Sequence, residues 1–395
     1  MRLRTLATSL LLATLTVAGT HATSYVPIAD SDLYQQAAAI AQVSVLSVGS
    51  APARGVPAID YIVVVERLLK GQIAGSTVVV RVAGGVGPDG WGLEVVGAPK
   101  FAHGDRAILF LVPQDDGTYG ILHMMLGAFH EFESGRHHLA LRDLYEARDI
   151  TPSGALGAPT GPRDFESFAD WIEAGATGPE TYRVNVPTGK LERWRDAFAL
   201  LRQQRRRLRW FDNEVEWLLD RRAPAGSRRL LKDALRAWNP LLDLRLAYGG
   251  RSEAEGRLSR FDGLNVVEFG DRDRTIPGSF SCHEGGVVAL GGPWFDPEVT
   301  SKSSPGAGGS VAIRILGADI MLNDGAECLL DGFEPLSHEV MMHELGHTLG
   351  LEFACGDAAS GACDAQSHES IMRALLHTDG KARQPTERER LQNVD

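Results

Sequence analysis

The sequence predicts a multidomain protein in which an N-terminal all-β small barrel or sandwich is followed by an α/β (α+β) domain. Three observations support this fold class. Short runs rich in Val, Ile, Leu or Tyr recur early in the chain between clusters of Gly, Pro and Asp, as in small barrels and sandwiches. A stretch rich in Pro, Gly and Ala follows. Beyond it, helical and strand patterns alternate, which indicates an α/β unit.

These patterns divide the chain into four parts. We expect a signal peptide at 1–22, a β-rich domain at 23–149, a linker with a short helix at 150–180, and the second domain at 181–395. The candidate strands of the β-rich domain are Ala41–Val48, Ile59–Leu68, Ser76–Val82, Gly92–Val96, Ala107–Val112 and Tyr119–Met125. The Pro- and Gly-rich segment Ile150–Arg163 marks the boundary, and an amphipathic helix is predicted at Phe165–Ala174.

The first residues have the pattern of an export signal. Arg2 and Arg4 precede an apolar run from Leu6 to Gly19, and Thr20-His21-Ala22 resembles a small-x-small cleavage site. The run is too short to span a bilayer comfortably, and no other stretch approaches a transmembrane helix. The sequence therefore predicts a secreted protein, extracellular or periplasmic, without a membrane span.

Charge and composition bear on the class of partner. The 40 basic and 51 acidic residues give a net charge of −11, which disfavours a nucleic-acid binder. The basic run from Lys190 to Arg209 is compatible with an anionic partner, but we interpret it as the solvated face of a helix. We expect a monomer that binds no nucleic acid.

The four cysteines indicate disulfides, because an even number in an exported chain is usually paired. Cys355 and Cys363 enclose a short polar loop, and Cys282 and Cys328 remain. We predict Cys355–Cys363 and Cys282–Cys328 out of three possible connectivities. A thiolate metal site is disfavoured, because no C-x-x-C spacing is present.

The chemistry of the chain is indicated by the H-E-x-x-H motif that begins at His343. In this arrangement His343 and His347 bind zinc, and Glu344 serves as general base. Pro335-Leu336-Ser337 and Gly350 are start and stop signals for a helix around the motif. At 3.6 residues per turn the two histidines are separated by only ~40° around the axis, so one metal can bridge them.

The motif, extended by Gly350 and followed by Met372, resembles the metzincin zinc proteases, most closely the bacterial matrixin-type branch. The resemblance covers roughly Arg209 to Asp395, and in it Met372 corresponds to the methionine of the Met-turn under the metal. It implies a metzincin-like α/β domain with a mostly parallel sheet and a long helix that carries the zinc ligands. It also implies that the strand near Ile313–Leu322 is the sheet edge that aligns an extended peptide.

The resemblance further implies a Zn²⁺-dependent endopeptidase that acts on protein or peptide substrates. A zinc-activated water would attack the peptide bond, with Glu344 as general base. Matrixins are often kept latent by a propeptide cysteine, but no cysteine precedes Cys282 here. The role of the N-terminal β domain is open between an inhibitory, a chaperoning and a targeting module.

The third zinc ligand does not follow the family pattern, because Phe353 stands where a metzincin has histidine. A neighbouring carboxylate, Glu352 or Asp357, could replace it, since carboxylates are zinc ligands. The alternative is a degenerate, catalytically impaired protein that acts as a peptide- or protein-binding module.

Overall fold

The computed structural model describes residues 24–51, 56–134, 137–144, 162–184, 207–252, 261–302, 311–330, 334–357, 360, 363–365, 367–377, 379–387 and 389. Three predictions fall wholly or mostly outside these residues. They are the signal peptide at 1–22, the linker at 150–163 and the basic run at 190–209.

The described residues form five α-helices and seventeen strands. The helices are α1 (Asp30–Gln36), α2 (Phe165–Glu173), α3 (Ser227–Trp238), α4 (Glu327–Leu330) and α5 (Glu334–Thr348). The strands up to 164 are β1 (Ser24–Val26), β2 (Ala39–Ser50), β3 (Ala58–Lys70), β4 (Thr77–Ala83), β5 (Gly85–Val86), β6 (Gly92–Leu93), β7 (Arg106–Pro113), β8 (Tyr119–Ile121), β9 (Ala128–Ser134), β10 (His137–Leu141) and β11 (Arg163–Asp164). The later strands are β12 (Arg207–Arg209), β13 (Glu214–Leu219), β14 (Arg245–Arg251), β15 (Asn265–Phe269), β16 (Gly286–Lys302) and β17 (Val311–Leu322).

One sheet closes into a barrel. Its order is β11-β10-β9-β7-β2-β3-β4-β8, and an additional pairing of β7 with β8 closes a ring of five strands. Alternation of side chains along each strand fills the interior. In β4, for example, Val78, Val80 and Val82 are buried, whereas the residues between them are partly exposed.

The second sheet is open and mixed. Its order is β14-β13-β15-β17-β16-β6-β5, with β1 also paired to β16 and β12 to β17. The pairings among β12, β13, β14, β15 and β17 are parallel, whereas those of β16 with β17, β6 and β1 are antiparallel. The sheet therefore combines strands from both sides of the boundary predicted after residue 149. Strand β17 is an inner strand, paired with β15 and β16, and not the expected edge.

The predicted fold class was wrong, because the structure is mostly β rather than an α/β metzincin-like domain. Strands make up 40% and helices 20% of the residues that the structure describes, in a closed five-stranded barrel and mixed sheets. The alternation of helices and strands was overestimated in the second half of the chain. There, β16 alone is 17 residues long, and β1, β5 and β6 from the N-terminal part extend the same sheet.

Helices α3 and α5 pack together and position the motif. In α3, Leu231, Leu235 and Trp238 are buried in one apolar cluster with residues of α5. The indole N–H of Trp238 donates to the carbonyl oxygen of Met342 at 2.8 Å. This contact places the middle of α5 against a rigid neighbour, one residue before the first motif histidine.

Helix α5 ends just before Gly350, as its stop signal predicts. Gly350 has φ of 90°, a left-handed conformation that glycine adopts at helix C-termini without a Cβ penalty. Its N–H donates to the carbonyl of His347 at 2.8 Å, and that of Leu351 to the carbonyl of Gly346 at 3.1 Å. A Cβ at Gly350 would lie 2.4 Å from the carbonyl oxygen of Leu208, so this close approach also requires glycine.

Both predicted disulfides are present. Cys282 pairs with Cys328 and Cys355 with Cys363, which leaves no free cysteine. Two disulfides fit a secreted or extracellular protein. Within the described ranges, every helix is too short or too polar to cross a membrane.

Candidate metal and peptide site

The two motif histidines lie side by side in the interior. His343 and His347 are one helical turn apart on α5, and each is at most 1% exposed. Their ring centroids are 4.3 Å apart, and their Nε2 atoms approach to 2.7 Å. The spacing in the sequence therefore brings the two nitrogens to one point.

Backbone carbonyls fix which nitrogen of each ring carries hydrogen. His343 Nδ1 is 2.7 Å from the carbonyl oxygen of Ile371, and His347 Nδ1 is 2.8 Å from that of Leu351. A carbonyl oxygen only accepts, so both Nδ1 atoms donate and both Nε2 atoms present lone pairs. Two lone pairs at this distance repel unless a cation or a shared proton lies between them. Such backbone bonds also orient metal-bound histidines.

Burial favours the neutral form of both rings. It lowers the pKa of His343 to about 4, although the bond to Ile371 acts in the opposite direction. The pKa of His347 lies well below its ordinary value, because of burial and then the neighbouring His343. Neutral imidazole is the form that binds a metal, so both rings are in the metal-binding form at neutral pH.

Glu344 is buried beside the histidines and points toward β1 and β16. Its Oε1 accepts a hydrogen bond from the hydroxyl of Ser24. Burial raises the pKa of Glu344 to about 7, while hydrogen bonds from Ser24 and the backbone of Gly291 act to lower it. A Cβ at Gly291 would lie 2.9 Å from Oε2, so a glycine there leaves room for the carboxylate.

Phe353 fills the space next to the histidine pair. It is 6% exposed, and its ring centroid lies 5.7 Å from that of His343 and 5.3 Å from that of His347. On its other side is the ring of Tyr25, at 6.2 Å. The residue that replaces the family's third ligand is thus a core aromatic in contact with both imidazoles.

Neither carboxylate predicted as the third ligand joins the histidines in the part of the chain that the structure describes, where no group of three metal-binding side chains is found. Glu352 is partly exposed next to Phe353. Asp357 is buried, and its Oδ1 accepts from the N–H of Ser360 at 2.7 Å. The identity of a third ligand stays a prediction.

Met372 lies directly under α5. It is fully buried, and a Cβ at Gly346 would come within 2.4 Å of its Sδ. Gly346 immediately precedes His347, so the methionine supports the helix between the two imidazoles. The sequence pattern singled out this methionine, and the structure places it against Gly346, between the two histidines in the chain.

Sequence reasoning missed two groups near the site. Ser24 is 320 positions from Glu344, and no local pattern could have paired them. Glu339, on the same helix, was not predicted to belong to the site. It accepts from His377 through the backbone N–H at 2.8 Å and lies 2.6 Å from the ring Nδ1. This contact attaches the segment after Met372 to α5, one turn before His343.

The chain was also compared with known proteins. Its sequence matches no protein-family model and no curated protein. The geometry of the site is therefore the basis for a functional assignment.

Proposed function

We propose that the protein is a secreted, zinc-dependent endopeptidase whose centre is built on His343, Glu344 and His347. The observation that carries the proposal is the convergence of two imidazole nitrogens whose outer nitrogens donate to carbonyls. Since the predicted fold class was wrong, the proposal rests on the site and not on the fold.

The donor pair fits zinc. Two neutral imidazoles in a buried, hydrogen-bonded arrangement are typical zinc ligands, and a catalytic zinc takes three protein ligands and a water. His343 and His347 would supply two of the three. Zinc supplies Lewis acidity, which lowers the pKa of a bound water and polarises a carbonyl.

Glu344 would act as the proton carrier. It follows His343 on the helix, and its carboxylate is held at β1 and β16 rather than in solvent. We expect it to take a proton from the attacking water and to deliver it to the leaving amine. Gly291 leaves the space in which this carboxylate sits.

An extended peptide is the substrate class that the surroundings favour. Strand β16 passes the carboxylate, and it pairs on that side with β1, a three-residue extended segment. Adding a strand to a sheet edge is a common mode of peptide recognition, with backbone hydrogen bonds for affinity.

A second candidate function is a peptide-binding module without catalysis. Phe353 favours it, because a buried ring in contact with both imidazoles cannot coordinate zinc. In this case the same edge of β16 would bind a peptide, and the histidine pair would hold a metal weakly or not at all.

Zinc content and hydrolysis separate the two. We expect the full chain to hold about one zinc by elemental analysis, and His343→Ala to lose it. His338→Ala is the matched control, because His338 is on the same helix but bonds to Glu334 and Asp233. Equal zinc in the wild type and in His343→Ala would rule out the centre.

Hydrolysis of labelled casein tests the chemistry. A general acid–base group contributes roughly 10²- to 10⁴-fold, so Glu344→Gln should lower the rate by that factor. Glu334→Gln, an exposed carboxylate on the same helix, should leave it unchanged. A rate that is insensitive to Glu344→Gln contradicts the proposal. Normal zinc binding without hydrolysis, in this chain and in the variants of β1 below, favours the binding module.

A further inference from the structure

Strand β1 lies between the two segments that line the site. Ser24–Val26 pairs antiparallel with the start of β16. On its other side Tyr25 forms a parallel bridge with Leu375, and the backbone N–H of Leu376 donates to the carbonyl of Tyr25 at 3.4 Å. The segment after the buried methionine is thus joined to β16 through β1.

The side chains of β1 reach the reactive groups. The hydroxyl of Ser24 donates to the carboxylate of Glu344, and the ring of Tyr25 packs edge-on against Phe353 at 6.2 Å. All three residues of β1 are buried, with Ser24 and Tyr25 fully inaccessible. Strand β1 therefore covers the general base and the aromatic ring beside the histidines at once.

The backbone just before β16 approaches the segment of β1 very closely. Gly285 has φ of 95°, and a Cβ there would lie 2.3 Å from the carbonyl oxygen of Pro27 and 2.8 Å from that of Val26. Only glycine permits such an approach of two backbones. The groove therefore fits an extended backbone in the position of β1.

The segment is anchored close to its docking point. Helix α1 begins at Asp30, whose carboxylate bonds to the Nε of Arg163 at 2.8 Å and to the hydroxyl of Tyr182 at 2.9 Å. An occupant attached through so short a connection has an effective concentration in the millimolar range. A free peptide must compete with it.

We infer that Ser24–Val26 is an autoinhibitory occupant of a peptide groove that selects an aromatic side chain against Phe353. The inference rests on the proposed function, because it takes this groove to be the place of the substrate. Its preferred peptide has the pattern of the occupant: a small polar residue that faces Glu344, then an aromatic residue over Phe353, then an aliphatic one.

Competition by a free peptide tests this arrangement. The probe is a fluorescent peptide with the sequence of residues 24–29, Ser-Tyr-Val-Pro-Ile-Ala, and its binding is followed by anisotropy in EDTA. One chain is the wild type, and in the other Ser24, Tyr25 and Val26 are all replaced by glycine. We expect binding at least tenfold tighter to the glycine chain, since the tethered competitor is weakened. The same peptide with alanine in place of tyrosine should lose most of this gain.

Equal affinity of the two chains, or equal affinity for the tyrosine and alanine peptides, would overturn the inference. If circular dichroism shows that the glycine chain is unfolded, Tyr25→Ala carries the test with the same expected direction. Casein hydrolysis with zinc separates the two proposals. Unmasked peptide binding without hydrolysis in any chain removes only the catalytic function. Hydrolysis that is equal with and without β1 removes only the autoinhibition.

Discussion

The edge strands of the two sheets are satisfied in different ways. The barrel closes through the pairing of β7 with β8, so its five strands leave no edge within the ring. The open sheet has β16 near one side, and that strand is paired with β1 and β6 from the N-terminal part. Closure removes the edge permanently, whereas a three-residue strand covers it by contacts that can be exchanged.

The difference teaches where a peptide could act on this chain. The closed ring of five strands offers no strand edge for a partner, although β9, β10 and β11 continue that sheet beyond the ring. The candidate site lies beside the covered edge of the open sheet. All four cysteines are also on the side of the open sheet, in Cys282–Cys328 and Cys355–Cys363. The open part of the molecule is therefore the part that is cross-linked.

Breaking the anchor between β1 and the barrel sheet should have the largest effect. Asp30→Asn removes the counter-charge from Arg163 of β11, and both side chains are almost completely buried. Losing one partner of a buried ion pair costs roughly 3–5 kcal/mol of unfolding free energy. Urea unfolding measures the loss.

The matched control is Asp115→Asn, which removes the partner of Arg274 at the surface. There the two side chains are 91% and 70% exposed, and we expect about 1 kcal/mol or less. Equal losses in the two variants would mean that the anchor is no stronger than a surface pair.

Replacing the two disulfides should destabilise the open sheet more than the barrel sheet. Cys282 and Cys328 are 46 positions apart, and Cys355 and Cys363 are 8 apart. The chain-entropy model gives losses of about 4 and about 2.5 kcal/mol for replacing each pair by serine. Hydrogen exchange should show faster opening of β16 and β17 than of β2 and β3. Uniform opening of both sheets would contradict this expectation.

A histidine at position 353 would supply the third ligand that the metzincin pattern has and this chain lacks. Phe353→His should tighten zinc binding by roughly 100-fold, about 2.7 kcal/mol, because a third imidazole would join the pair. The same change replaces the apolar phenyl ring under Tyr25 by a smaller, polar imidazole, so β1 should also be released more easily. Phe353→Leu is the control, and it should release β1 without any gain in zinc affinity. Competition with a chromogenic chelator measures the affinity.

Acidification should destabilise the protein where the two sheets meet, because His123 is buried there. Burial lowers the pKa of His123 to about 4, against about 6.5 for an unfolded chain. The unfolded state therefore binds more protons between these values, and stability falls as pH drops from 6.5 toward 4. At pH 5 the loss relative to pH 7 is roughly 2 kcal/mol.

The variant His123→Asn isolates this contribution. His123 has φ of 51°, a left-handed conformation that asparagine tolerates. The variant should lose roughly 2 kcal/mol less than the wild type between pH 7 and pH 5, by urea unfolding at each pH. Identical pH profiles would exclude His123 as a contributor.

The sequence was sufficient for features set by neighbours in the chain. The helix with His343 and His347 follows from local periodicity, its end from Gly350, and one disulfide from a short loop. The barrel strands follow from short runs rich in Val, Ile, Leu or Tyr between clusters of Gly, Pro and Asp. Each of these depends on interactions over a few residues, which a sequence pattern records directly.

Features set by distant pairing were not predictable in this way. The fold class was wrong because β1, β5 and β6 from the N-terminal part join the sheet of the second half, and no local pattern records that pairing. The contact between Ser24 and Glu344 joins the two ends of the chain. The sequence showed that Phe353 replaces the family's third ligand. Its packing against Tyr25 could be seen only in the tertiary structure.

The two Nδ1 hydrogen bonds have a mechanical consequence. They hold the carbonyls of Leu351 and Ile371, which bracket a loop that contains Phe353 and one disulfide. A metal ion bound by both Nε2 atoms would fix the two rings, and through their Nδ1 bonds it would also hold these two carbonyls. Metal binding should therefore slow the rate at which an added protease cleaves between Leu351 and Ile371.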